Sequence, residues 1–238
     1  MRTGRLLGSG RTADVYELVG DERWVLRRYR DGYGDGYGDG YGDAVAEAAV
    51  MEHVRGYGYP VPAVRAADGI DMVVERLSGP TMLEAFGVGL LTPAEGGRTL
   101  ARLLRDLHAL PPRTSTGPTG LTGPVTRVLH LDLHPENVIV TPGGPRVIDW
   151  ANAEEGPPGL DWGMSAVILD QVAVAGEPLA EAAQEILAAL LADQGEESAL
   201  TEQGLTEARR RRAANVTMSE REVRLLGDAE ELIRALAH

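Results

Sequence analysis

The stretch HLDLHPENVIV, residues 130–140, places two histidines, two carboxylates and an amide within a run that is otherwise apolar. Val138 to Val140 has the composition of a strand. Pro135 lacks a backbone N–H, and the polar residues from Asp132 to Asn137 break the alternation that a strand requires. We therefore expect a polar loop that is held between two apolar strands.

A metal cage is one hypothesis for this loop. His130, Asp132 and His134 alternate along the chain, so an extended backbone would turn them to one face. Imidazole and carboxylate ligands together suit zinc or iron. No second histidine cluster is evident in the sequence, and the absence of cysteine excludes thiolate ligands.

Phosphoryl transfer is the second hypothesis. It needs a carboxylate beside the acceptor hydroxyl and oxygen ligands for a magnesium ion that bridges the phosphates. Asp132, Asn137 and Asp149 supply these groups, with Asp149 in VIDW at the end of the next apolar segment. The pair of motifs HLDLHPENVIV and VIDW resembles the catalytic and metal loops of the aminoglycoside phosphotransferase and choline kinase family.

That resemblance implies an α+β, two-lobed protein-kinase-like fold. Residues 1–79 would form a small, antiparallel β-rich nucleotide-binding lobe, and residues 80–238 a larger, mainly helical lobe with the catalytic and metal loops. Asp132 would orient the acceptor hydroxyl and accept its proton. Asn137 and Asp149 would bind Mg²⁺, and ATP or GTP would be the co-substrate. His130, His134 and Asp161 would support the loop, although Asp161 could also be a plain helix cap.

A glycine-rich hairpin is the next feature that such a fold requires. GSGRTADV, residues 8–15, has the spacing of the kinase loop that covers the phosphates, with alanine in place of its third glycine. A glycine-rich turn is weak evidence by itself, but this one precedes the other motifs in the expected order. The candidate nucleotide contacts are Gly8, Ser9, Gly10, Ala13 and Val15.

Arg27, in WVLRRYR, aligns best with the lysine that the resemblance implies on the third strand, and Glu47 is its candidate partner on the following helix. All 23 basic residues of the chain are arginines. Arginine presents a planar fork rather than a point charge, and it can still hold a phosphate bidentately. We expect Arg28 and Arg30 to lie on a solvated strand edge. Glu75 and Leu77 lie where the resemblance implies a hinge whose backbone meets the base.

The remaining pattern supports this order of elements. Short apolar segments before residue 30 predict an antiparallel meander, residues 44–55 a helix, and the turn at Asp68-Gly69 a further strand pair. Thr92, Pro93 and Glu95 have the pattern of a capped helix start. Its apolar face is Leu100, Leu103, Leu104 and Leu107, and later helices are expected at 160–175, 177–193, 202–214 and 219–237.

The net charge of -13 argues against a nucleic-acid footprint and permits attraction of cationic small molecules. The arginine run 209–212 is expected to be a solvated helix face. The first residues lack the apolar core of a signal peptide, and no apolar run is long enough to span a bilayer. We therefore expect a cytoplasmic protein whose partners are a nucleoside triphosphate and a small hydroxyl acceptor: an aminoglycoside, a choline-like amine or another metabolite.

Asp-Gly-Tyr-Gly occurs three times in tandem from Asp31 to Gly42. Glycine at every second position disfavours helix and packed strand, so the sequence predicts a dispensable surface loop. A nucleotide-binding pseudokinase or scaffold is the alternative to an enzyme, because Arg27 replaces lysine and Leu131 stands where family members often carry glycine. The intact Asp132, Asn137 and Asp149 argue against it. A protein kinase is disfavoured because no Ala-Pro-Glu motif follows VIDW.

Overall fold

The computed structural model describes residues 2–10, 12–30, 43–113, 125–174, 178–195, 199–214 and 232–236. The tandem repeat lies outside these residues, as does most of the helix predicted at 219–237. The chain divides into two compact units. The first is Met1–Gly79 with Thr141–Ala151, and the second is Pro80–Val140 with Asn152–His238.

The first unit is built on a five-stranded antiparallel sheet, as the sequence predicts. Its spatial order is β1-β2-β3-β5-β4. Helix α1 connects β3 to β4 along the chain, and the short strand β8 follows later in the sequence. The bounds are β1 Thr3–Ser9, β2 Ala13–Leu18, β3 Trp24–Tyr29, α1 Ala44–Gly56, β4 Val64–Asp68, β5 Asp71–Glu75 and β8 Gly144–Val147.

Helix α1 buries the face that carries Glu47. It begins at the cap residue Asp43, whose side chain accepts hydrogen bonds from the backbone of Val45 and Ala46. Its buried residues recur at helical spacing and include Glu47 and Met51, whereas Val45 is half exposed. Glu47 is therefore buried while Val45 is exposed. A buried carboxylate is tolerated only when it has hydrogen-bond or charge partners in the interior.

The second unit is mainly helical. Its elements are α2 Met82–Gly87, α3 Pro93–His108, β6 Arg127–Leu129, a 3-10 turn Pro135–Asn137, β7 Val138–Thr141, β9 Glu154–Gly156, α4 Pro158–Val174, α5 Ala180–Ala192 and α6 Glu202–Ala213. Strand β7 carries the chain to the first unit at Thr141. No helix in the described part of the chain is long and apolar enough to cross a membrane.

Helix α3 begins as its sequence predicts. Thr92 and Glu95 form a capping box with Pro93 at the first helical position. The four leucines of the predicted face are all buried, and α3 packs against α5 at Gly97, where an added Cβ would collide with the carbonyl oxygen of Ile186. Helix α4 packs against α5 and α6. These contacts form the core of the second unit.

The arginine run on α6 is occupied by contacts within the second unit. Arg210 and Arg211 both pair with Glu207, and Arg211 also pairs with Glu154 on β9. Arg212 donates to the side chain of Gln171 on α4. The run therefore ties α6 to its neighbours, which agrees better with a structural helix face than with a nucleic-acid patch.

Asp170 is an ionisable group in the buried interior around α4. Its side chain is fully buried, and within the described residues neither carboxylate oxygen has a hydrogen-bond partner. Burial raises the pKa of Asp170 to about 7, because the charged form loses its hydration without gaining a donor. Asp170 is therefore largely protonated below neutral pH in the folded protein.

We predict that Asp170→Asn stabilises the protein at high pH. The unfolded state releases the Asp170 proton near 3.8 and the folded state only near 7, so stability is lost as the pH rises through this window. The variant should be close to wild type near pH 4 and about 3–5 kcal/mol more stable at pH 8, at about 1.4 kcal/mol for each unit of pKa difference. Urea unfolding across this range measures the difference.

Glu185→Gln is the matched control, because Glu185 is exposed on α5 and its substitution also removes one negative charge. Its effect should be small at every pH. An Asp170→Asn stability difference that does not change with pH would show that Asp170 is not a buried unpaired carboxylate.

Candidate active site

The glycine-rich hairpin joins β1 to β2. Gly8 lies opposite Val15 and Ser9 opposite Asp14, and the N–H of Gly10 donates to the carbonyl of Ala13 over 2.9 Å. The predicted phosphate contacts Gly8, Ser9, Gly10, Ala13 and Val15 therefore all lie in one hairpin of the first unit. Backbone N–H groups of such a turn are suited to phosphate oxygens.

Arg30 contacts this hairpin, whereas the sequence suggested a solvated strand edge. Its Nη2 donates to Asp14 Oδ1 over 2.6 Å and also to the hydroxyl of Ser9. Ser9 in turn donates to Asp14 over 2.8 Å. Arg28 instead pairs with Asp71, its neighbour across to strand β5. Arg30 therefore braces the hairpin tip.

Arg27 lies between two carboxylates of the first unit. Its Nη1 donates to Glu47 on α1, and its Nη2 donates to Asp149 Oδ1 over 2.7 Å. The Arg27 side chain is only 12% exposed. Although burial alone would lower the pKa of Arg27, the charges of Glu47 and Asp149 raise it, so the guanidinium is fully charged.

Glu47 accepts hydrogen bonds from two further groups that the sequence analysis did not identify. The Tyr29 hydroxyl donates to it over 2.6 Å, and the backbone N–H of Trp150 donates over 2.9 Å. The Tyr29 ring also lies 4.5 Å from the guanidinium carbon of Arg27. The sequence did offer one signal for Tyr29. It follows Arg27 by two positions on the same strand, and residues two apart on a strand share a face.

The backbone at Asp149 has a left-handed conformation, with φ of 62°. A non-glycine residue there costs about 1–2 kcal/mol. The hydrogen bond from the next residue, Trp150, to Glu47 holds the chain in this conformation. The Asp149 side chain remains 36% exposed, and its second oxygen has no partner within the described residues.

Asp161, in the first turn of α4, holds the beginning of the candidate catalytic loop in the second unit. It accepts the backbone N–H of His130 over 2.9 Å and that of Leu131 over 2.7 Å. His108 Nε2 lies 3.0 Å from the same carboxylate. Burial acts to raise the pKa of Asp161, but hydrogen bonding and the charges of His108 and His130 lower it overall. The carboxylate thus stays ionised and binds the loop.

Asp132 and Asn137 are adjacent in the same loop. Asn137 Nδ2 donates to the Asp132 carbonyl over 2.8 Å and to its Oδ2 over 3.2 Å. His134 Nε2 lies 3.2 Å from Asn137 Nδ2 and 3.7 Å from Asp132 Oδ1. His130 is buried, and its Nδ1 accepts the Asp132 N–H over 3.3 Å. The structure therefore brings these four residues together.

The Asp132 carboxylate is ionised at neutral pH. Partial burial acts to raise its pKa, but His134, His130 and Arg212 together lower the pKa below its ordinary value of 3.8. An ionised carboxylate is a pure hydrogen-bond acceptor, which suits a partner hydroxyl. Its side chain is 24% exposed, so such a partner can reach it.

The cage hypothesis has no support in the described part of the chain, where no group of three or more histidines and carboxylates is arranged around a common metal position. Glu75 ends β5 and accepts the Ala63 N–H on its side chain over 3.0 Å, and Leu77 follows as a half-buried residue. Their contact with a base stays a prediction.

Comparison with known families decides the class of the protein. The phosphotransferase enzyme family, APH, matches residues 3–125 and 116–201. The chain belongs to the APH phosphotransferase family. It is a small-molecule kinase of an ATP-dependent family. No curated protein sequence matched it significantly.

Solved structures with this fold include other APH-like kinases. A choline/ethanolamine kinase family protein from Mesorhizobium loti aligns with a TM-score of 0.56 at 16% identity, over 100% of this chain and 92% of that one. The amicoumacin kinase hAmiN, in complex with AMP-PNP, Ca²⁺ and Ami, gives 0.54 at 15%, over 97% and 87%. APH(2")-IIa, in a ternary complex with streptomycin and ATP, gives 0.54 at 13%, over 98% and 93%. The predicted kinase-like fold is thus confirmed.

His108 is a further residue of this APH kinase that the sequence did not identify, and it acts on the candidate catalytic loop through Asp161. It ends α3, is buried, and reaches Asp161 across the core of the second unit. Nothing in its sequence position distinguishes it from an ordinary helix-terminal histidine. Its role depends on a contact between residues that are distant in the chain.

We predict that Asp161→Asn destabilises the kinase by about 3–5 kcal/mol, because it removes a buried charge whose oxygens hold two backbone N–H groups and His108. Urea denaturation measures the loss. Asp106→Asn on the exposed face of α3 is the control and should change stability by less than about 0.5 kcal/mol. Equal stability of the two variants would contradict the anchoring role of Asp161.

Proposed function

We propose that this kinase transfers the γ-phosphoryl group of ATP or GTP to a hydroxyl group of a small molecule. The observation that carries the proposal is the Asp132 carboxylate, ionised and accessible in a loop that Asn137 and Asp161 hold in place. Phosphoryl transfer depends mainly on positioning and electrostatics, which are the properties that such a loop supplies.

Asp132 is the proposed catalytic residue. In the reaction a bond forms between the acceptor oxygen and the γ-phosphorus, and the bond from that phosphorus to the bridging oxygen breaks. The acceptor proton passes to Asp132. Since its pKa is lowered, Asp132 would orient the hydroxyl first and take the proton late, once the new bond has made that proton acidic.

Asn137 and Asp149 each have an oxygen that fits a magnesium ligand. The side-chain nitrogen of Asn137 makes its hydrogen bonds, while its oxygen has no partner among the described residues. Asp149 has one such oxygen as well. Carboxylate and amide oxygens are the ligand types that Mg²⁺ accepts. When bound, the ion would neutralise charge on the phosphates.

The first unit provides the proposed nucleotide contacts. The hairpin of Gly8, Ser9, Gly10, Ala13 and Val15 would cover the phosphates. Arg27 is fully charged and fixed by Glu47, so it can hold a phosphate in a set orientation. The backbone of Glu75 and Leu77 would meet the base.

Cationic hydroxyl compounds are the first acceptors to test. The chain carries a net charge of -13, which favours approach of cations. Aminoglycosides and choline-like amines are therefore the leading candidates, in line with the streptomycin and choline/ethanolamine named for the neighbouring structures. A panel of such acceptors with radiolabelled ATP and GTP, in the presence of Mg²⁺, tests the proposal directly.

We predict that Asp132→Asn spares nucleotide binding and slows transfer by roughly 10²- to 10⁴-fold, the loss expected for general acid-base catalysis. Calorimetry with magnesium-AMP-PNP and initial rates with the acceptor found in the panel measure the two effects. Glu136→Gln is the control, because Glu136 is exposed in the same loop. Full activity of Asp132→Asn would remove Asp132 from the catalytic role. Nucleotide binding without transfer to any acceptor would favour a pseudokinase.

We predict that Asp149→Ala weakens magnesium-AMP-PNP binding substantially in a folded protein, because it removes an oxygen ligand and leaves the Arg27 charge with Glu47 alone. Calorimetry with and without Mg²⁺ measures the change, with Asp71→Ala on β5 as a control on an exposed ion pair. Unchanged affinity would remove Asp149 from the metal role.

A further inference from the structure

Arg27 pairs with Asp149 as well as with Glu47. The contact with Asp149 is not needed for positioning a phosphate, so it calls for a separate explanation. Nη2 lies 2.7 Å from Asp149 Oδ1 while Nη1 is held by Glu47. The guanidinium is 12% exposed and stacks 4.5 Å from the Tyr29 ring centroid. Its orientation is therefore set by three neighbours, and one of its two terminal nitrogens is directed at the candidate metal ligand.

The contact depends on the residue being arginine. A guanidinium has two terminal nitrogens in a rigid plane, so it can place a separate donor on each carboxylate. A lysine ammonium has one nitrogen on a flexible stem and cannot reproduce this pair of contacts with the same geometry. The chain contains no lysine, so arginine stands wherever a lysine would otherwise be expected. At Arg27 this choice lets one side chain connect Glu47 on α1 to Asp149.

We propose that Arg27 is an internal counter-ion that competes with a divalent cation for Asp149, so that metal enters with the nucleotide rather than before it. The inference rests on the proposed function, in which Asp149 is a metal ligand. Two cations on one carboxylate repel each other, and Arg27 already occupies one of its oxygens. A triphosphate offers new acceptors for the Arg27 nitrogens, which releases Asp149 to the metal.

Binding of Mn²⁺ to the nucleotide-free protein, followed by electron paramagnetic resonance, tests this proposal. Arg27→Lys and Arg27→Gln should each bind Mn²⁺ at least about fivefold more tightly than wild type, the lower end of ordinary coupling between sites. Glu47 keeps the Tyr29 hydroxyl and the Trp150 N–H in both variants, which supports folding. Two variants are used because Lys keeps the charge beside Glu47, whereas Gln removes it.

Arg28→Lys is the matched control. Arg28 is the next residue on β3, faces the other side of the sheet, and pairs with Asp71 through two contacts of 2.6 Å. Its substitution makes the same chemical change away from Asp149 and should leave Mn²⁺ affinity unchanged. Tightening by this control as well would overturn the proposal, because the effect would then not depend on a contact with Asp149.

Asp149→Asn distinguishes a failure of the Arg27 competition from a failure of the metal role of Asp149. If Mn²⁺ binding is lost in Asp149→Asn but is not tightened in either folded Arg27 variant, Asp149 is a metal ligand and the competition by Arg27 is overturned. If Asp149→Asn binds Mn²⁺ as well as wild type does, the metal role of Asp149 fails and the present inference fails with it. Tightening in both Arg27 variants, with loss in Asp149→Asn, is the expected result.

Discussion

One buried carboxylate on a helix fixes the segment that carries candidate site residues in each unit. In the first, Glu47 accepts the N–H of Trp150, directly after Asp149; in the second, Asp161 accepts the N–H of Leu131. Asp149 and Leu131 are the non-glycine residues with positive φ in the described part of the chain, each at 62°. The two conformations that direct the candidate site residues therefore depend on hydrogen bonds to buried charge.

Such carboxylates persist in the interior only because donors converge on them. Glu47 receives a guanidinium, a hydroxyl and a backbone N–H, and Asp161 receives two backbone N–H groups and a histidine. A hydrogen bond to an ion is stronger than one between neutral groups, which compensates for lost hydration. Burial still raises the pKa of Glu47 despite its donors, whereas the donors of Asp161 lower the pKa of that carboxyl. Asp170 is buried without donors in the described residues, and burial raises its pKa to about 7.

The sequence predicted the elements and motifs well because periodicity and spacing are local properties. It predicted the sheet, the start of α3 and the pairing of Arg27 with Glu47. It could not identify Tyr29, Trp150 or His108, because their roles arise from contacts between distant segments. The buried face of α1 could not be predicted from hydrophobicity either. Val45 is exposed there and Glu47 is buried, because Glu47 forms hydrogen bonds with partners in the interior.

Leu131 shows how the chain can depart from a family pattern and still keep the loop. Glycine would adopt φ of 62° without steric cost, whereas leucine loses about 1–2 kcal/mol there. The leucine side chain is 5% exposed, and burying it returns about 1.5–3 kcal/mol. Strain and burial thus nearly offset, and the Asp161 hydrogen bond to the Leu131 N–H sets the conformation in either case. The departure at Leu131 therefore leaves the conformation of the candidate catalytic loop intact and does not by itself favour a pseudokinase.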